Sequence, residues 1–146
     1  MSTTTAVTTF ARPRFEIARH ARGAYRAMSD LDSAIELDSS LRDLVTLRAS
    51  ILNACGESAQ RLNAVAAWHE APFFTERERA ALELTDAVTL LSHGRVPRDV
   101  FDAASAQFDD EELAQLIWAI TAINAWNRIA VTTRMLPAEY QPDGGS

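Results

Sequence analysis

The stretch from Phe108 to Met135 constrains the fold more than any other part of the chain. Asp109 and Glu112 stand at the spacing of a capping box, and Phe108 and Leu113 occupy the two positions of a hydrophobic staple. Asp109-Asp110-Glu111-Glu112 places its carboxylates at the positive end of the helix it opens. Behind them Leu116, Ile117, Ile120, Ile123, Ile129 and Val131 cover much of the circumference. A helix apolar on most sides runs through the middle of a bundle or lies in a subunit interface. A homo-oligomer is therefore expected. The uncharged run from Leu113 to Asn127 carries Gln115, Thr121, Asn124 and Asn127. It is too short and too polar to span a bilayer.

The remaining segments read as shorter helices around that one. From about Phe15 to Leu37 the pattern suits a helix interrupted at Gly23, with Tyr25, Met28, Leu31 and Ile35 near one face. Ser39 or Ser40 caps a second helix that runs to about Asn53. Gly56 then stops or bends the chain, and a helix from Ser58 reaches about His69 before Ala71-Pro72. Thr75 and Glu78 form a capping box for a helix with Ala81, Leu84, Val88 and Leu91 inward, closed near Gly94. Pro97 opens a short helix in its first turn, with Val100, Phe101 and Ala104 inward. No stretch alternates with period two long enough for a convincing strand. The expected fold is all-α, a single-domain bundle of about six helices. Residues 1–14 are expected to form a flexible N-terminus, 15–136 the helical domain and 137–146 a flexible tail.

Composition narrows the function. Hydrophobic residues make up 47% and charged residues 23%, as in ordinary globular proteins. The net charge of -6 argues against nucleic acid, which needs a basic face. All 14 basic residues are arginine, so Schiff-base lysine chemistry and a P-loop lysine are excluded. The single cysteine, Cys55, cannot form an internal disulfide. The N-terminal stretch lacks the pattern of a secretory signal. A soluble cytoplasmic protein with no membrane partner is expected.

The candidate site residues are few. Cys55 is either a reactive thiol or a small buried hydrophobe. Asp43 is either a first-turn helix acid or a proton relay to a thiol. His20, His69 and His93 share no metal-ligand spacing, so no metal and no cofactor are expected. Trp118 and Trp126 lie on nearly one face of the long helix and read as core or interface packing. Asn124, Asn127 and Arg128 read as polar groups satisfying buried partners or a contact between subunits.

Several separated motifs, in order, resemble the carboxymuconolactone decarboxylase superfamily in its alkylhydroperoxidase-D-like branch. The strongest are Trp68-His69-Glu70-Ala71-Pro72-Phe73-Phe74-Thr75-Glu76-Arg77-Glu78 and Ile123-Asn124-Ala125-Trp126-Asn127-Arg128. Leu41-Arg42-Asp43-Leu44-Val45-Thr46-Leu47-Arg48 and Gly56-Glu57-Ser58 also fit. The resemblance implies an all-α fold that usually oligomerises and, in many members, a thiol-dependent peroxidase. Its site is a C-x-x-C pair at a helix start, a histidine a few residues later, and a carboxylate on the preceding helix. That carboxylate falls on Asp43, one methylene shorter than the usual glutamate. Asn53-Ala54-Cys55 runs directly into Gly56-Glu57-Ser58, where the family has an active-site helix. Cys55 aligns either as the first cysteine of a truncated pair, with Ser58 in the second place, or as a small residue before Gly-Glu-Ser. The expected function is thiol-dependent peroxide reduction impaired by loss of C-x-x-C, with a small peroxide and an external thiol reductant as partners. The alternative is a non-catalytic oligomeric protein of the same fold.

Overall fold

The computed structural model describes residues 13–53 and 65–135. Every regular element among them is helical: α1 (Ile17–His20), α2 (Arg22–Ala34), α3 (Ser39–Leu52), α4 (Glu76–Thr89), a 3-10 turn (Leu91–His93), α5 (Arg98–Gln107) and α6 (Asp110–Thr133). The all-α expectation holds.

Local chemistry sets the helix starts. Thr75 accepts from the Glu78 amide while the Glu78 carboxylate accepts from the Thr75 amide, so the capping box of α4 is complete. Asp109 and Glu112 make the same reciprocal pair for α6. Phe108 and Leu113 are both buried beside it, as the staple requires.

Other boundaries differ from the sequence reading. The cap of α3 is Asp38, not Ser39 or Ser40: its Oδ2 accepts from the Leu41 amide at 3.1 Å and the Ser40 hydroxyl at 2.7 Å. A charged acceptor outcompetes a neighbouring hydroxyl for that role. The first helical region breaks at Ala21 (φ -134, ψ 58), whereas Gly23 lies inside α2. Pro97 is the cap of α5 rather than its first helical residue. Gly94, at φ +137, closes the 3-10 turn instead of α4 itself. Leu91 and Phe101 point outward, at 54% and 44% exposure. On α5 the i, i+4 pair Val100 and Ala104 takes the inner face, leaving Phe101 a sixth of a turn or more outside it.

The helix α3 packs against α4 and α6, and α5 closes over α4. Leu41 and Val45 of α3, Ala80, Ala81 and Leu84 of α4, and Leu116 and Ile120 of α6 meet in one core. Val100, Ala104 and Phe108 seal its far side. A second cluster joins Val65 and Trp68 to Leu82, with Leu44, Leu47 and Ile51 of α3 against it. α6 is thus central on most of its circumference, yet Trp118 and Val131 remain 52% and 53% exposed. No helix among the described residues is long and apolar enough to cross a membrane.

Candidate functional site

The chemistry-bearing residues gather where α3 ends. α3 stops at Leu52 with Asn53 as its C-cap, and the described chain resumes at Val65. Cys55, Ser58 and the Gly56-Glu57-Ser58 junction lie outside the described residues. Two polar clusters flank the points where that segment leaves and returns.

The first lies at the departure point, between α3, α4 and α6. Asn124 is 7% exposed and donates through Nδ2 to the Thr89 hydroxyl at 3.0 Å and to the Ile120 carbonyl at 2.9 Å. Its Oδ1 accepts from Asn53 Nδ2 at 3.0 Å. Asn127, fully buried, accepts from the Ser50 hydroxyl through Oδ1. Arg128 is exposed and folds its Nη1 back onto the Asn124 carbonyl at 3.1 Å. The reading of these polar residues as satisfying buried partners thus holds for Asn124 and Asn127. Beside them opens a shallow cleft of about 230 Å³, lined by Asn53, Asn127, Arg128, Val131 and Thr132. It sits at the C-terminal ends of two helices, whose carbonyls carry partial negative charge. The Arg128 guanidinium offsets that charge.

The second cluster lies at the return point. Arg48 is 8% exposed and grips Asp86 with two parallel bonds, Nε to Oδ1 at 2.6 Å and Nη2 to Oδ2 at 3.0 Å. This is the fork-on-carboxylate geometry that makes Arg pairs specific. Its Nη1 donates to the carbonyls of Val65 and Ala66, both at 3.3 Å. Asp86 Oδ2 also accepts from Trp68 Nε1 at 3.3 Å. His69 stacks on Trp68, ring centroids 3.7 Å apart, with Nε2 3.7 Å from the same oxygen. Arg79 clamps the next stretch through the carbonyls of Trp68, His69, Ala71 and Phe74. Two arginines therefore hold the chain down directly after its return.

Asp43 lies on an exposed face of α3 and past its first turn, so it is not a first-turn acid: the helix already begins at Ser39 behind the Asp38 cap. It sits ten residues before Asn53, about 15 Å along the axis at 1.5 Å per residue. Cys55 can stray from Asn53 by at most about 7 Å. The two side chains approach one another only if the chain reverses at Asn53 and runs back along α3. His20 and His93 lie apart from both clusters, and no group of His, Cys, Asp or Glu among the described residues could hold a metal ion. The sequence reading missed Arg48 and Asp86. The signal was available: Arg48 interrupts the inward run Leu44, Val45, Leu47, Ala49, and a charge in such a place needs a partner.

No protein-family model matches the chain. It is 30% identical over 131 residues to the uncharacterised protein YdfG of Bacillus subtilis (strain 168), covering 80% of this chain and 89% of that protein. It also matches the crystal structure of an Agrobacterium tumefaciens protein of unknown function, provisionally assigned to antioxidant defence as AhpD. That match has a TM-score of 0.78 and 36% identity, over 86% of this chain and 97% of the other. Fold, motif order and identity agree, and the chain belongs to the alkylhydroperoxidase-D-like branch of the carboxymuconolactone decarboxylase superfamily.

Proposed function

We propose that this protein is a thiol-dependent peroxide-reducing oxidoreductase in which Cys55 is the sole redox group. The likeness to a fold provisionally assigned to antioxidant defence carries the reading. The Cys55 thiolate attacks one oxygen of the peroxide. The O–O bond breaks, the other oxygen leaves as alcohol or water, and Cys55 becomes a sulfenic acid. Asp43, bridged by water, takes the thiol proton and returns it to the leaving oxygen. No second cysteine can resolve the sulfenic acid. One external thiol forms a mixed disulfide and releases water, and a second releases Cys55 and leaves as disulfide. The cleft at Asn53 suits a neutral, hydrogen-bonding peroxide, because the negative ends of two helices there are balanced by Arg128 and the lining offers amide groups. Turnover is slow, since each cycle waits on two external thiols to resolve the sulfenic acid.

The absence of a resolving cysteine favours a second reading, a non-catalytic protein of the same fold. The test uses hydrogen peroxide and tert-butyl hydroperoxide with and without dithiothreitol, on wild type and Cys55→Ser. Sulfenic acid is trapped by a dimedone-type reagent and weighed by mass spectrometry. Slow, thiol-dependent turnover that is lost in Cys55→Ser supports the peroxidase. Turnover that survives Cys55→Ser overturns it, and the absence of any trapped sulfenic acid leaves the non-catalytic reading standing. In either case the protein works as a homo-oligomer.

A further inference from the structure

The outer face of α6 carries a seam that matches itself when reversed. Glu111, Ala114, Trp118, Thr121, Ala125 and Arg128 recur at alternating steps of three and four residues, the spacing of a coiled-coil seam. All are exposed except Ala125, which is half-buried. Between Glu111 and Arg128 this seam holds no charge over about 25 Å of helix. The Thr121 hydroxyl donates to the Ile117 carbonyl at 2.8 Å, so the residue shows its methyl group outward. A solvent-facing tryptophan at 52% exposure in the middle of such a strip is what an unfilled interface presents.

We infer that α6 pairs with α6 of a second copy of this chain, antiparallel, about a two-fold axis between Ala119 and Ile120. The sequence of the seam selects that register. Antiparallel pairing sets Trp118 against Thr121 of the partner subunit and Ala114 against Ala125 of the partner subunit, large against small. It sets Glu111 against Arg128 of the partner subunit at both ends. Parallel pairing would oppose Trp118 to Trp118, Glu111 to Glu111 and Arg128 to Arg128. Like charges at facing seam positions disfavour that arrangement. An isologous contact of this kind closes on itself and forms a discrete dimer unit. The inference deepens the homo-oligomer reading by naming the surface, and it does not depend on peroxide chemistry.

Sedimentation equilibrium at tens of micromolar tests it, on the full chain, with circular dichroism to confirm that each variant is folded. Wild type should show at least twice the protomer mass. Trp118→Glu should reduce that by half or more with its helical signal retained. Glu111→Arg and Arg128→Glu should each weaken association at least tenfold. The double variant Glu111→Arg/Arg128→Glu should restore it, because the exchanged charges face one another again. A monomeric wild type overturns the oligomer reading as a whole. An oligomeric wild type whose mass survives Trp118→Glu places the interface elsewhere. Single charge variants that dissociate without rescue by the double variant overturn the antiparallel register.

Discussion

The Arg48–Asp86 pair offers the sharpest test of how this bundle is held together. Replacing Asp86 by Ala strands a guanidinium whose side chain is 10% exposed. Breaking a buried pair from one side costs about 3–5 kcal/mol, mostly the penalty of an uncompensated charge. The Asp86 side chain is 21% exposed, so water screens part of the interaction. The Trp68 indole N–H also loses its acceptor, and a lost hydrogen bond adds about 1 kcal/mol. The net expectation is about 3 kcal/mol, which for a chain of this size lowers Tm by roughly 10 °C. Arg48→Met keeps the volume and leaves Asp86 free to rehydrate, so it should cost less, about 1–2 kcal/mol. The double variant Arg48→Met/Asp86→Leu should fall within about 1 kcal/mol of wild type, because no charge is left buried. Urea unfolding followed by circular dichroism measures all three variants. If Asp86→Ala costs under 1 kcal/mol, or the double variant loses as much as the two singles together, the pair does not hold the segment after Val65 in place.

Two further predictions concern carboxylates on or before α3. The Ser40 hydroxyl and the Leu41 amide hold the Asp38 carboxyl below its ordinary 3.8. A depressed folded pKa contributes stability that is present above the unfolded pKa and is lost as pH falls through the folded one. Asp38→Asn keeps a good cap but cannot titrate, so its acid unfolding curve should be shallower below about pH 4 than that of wild type; superimposable curves would dismiss the cap as a pH-linked contact. If Asp43 takes the thiol proton as proposed, Asp43→Glu, with the longer reach of one more methylene, should speed peroxide oxidation of Cys55, and Asp43→Asn should slow it about a hundredfold, the low end for a general base. Stopped-flow rates that ignore both changes remove Asp43 from the proton path.

The sequence disclosed the bundle because its signals are local. Capping boxes at Thr75 and Asp109 depend on residues three apart, and the staple of Phe108 and Leu113 on residues five apart. Such rules need no knowledge of the rest of the fold. The misplacements at Asp38 and Phe101 have a common origin: each turns on a choice among neighbours, between a hydroxyl and a carboxylate or between adjacent faces of a short helix. The polar clusters were hidden for a different reason. Arg48 meets Asp86 and Asn53 meets Asn124 across long separations in the chain, so no window of sequence contains either pair.

The outer seam of α6 lay between these cases. Its apolar excess was legible, but which side stays uncovered emerged only once α3 and α4 had taken the rest. With Leu116, Ile120 and Ile123 buried and Trp118 left outside, this side of the helix is the surface on which the inferred contact with a second copy rests. The inferred contact would lie on the same helix that carries Asn124 and Asn127. Those residues brace Asn53 and Ser50, at the point where the Cys55 segment departs. Association through α6 would stiffen the wall of the cleft as well as cover the tryptophan, tying the quaternary state to the stretch of chain on which the proposed chemistry depends.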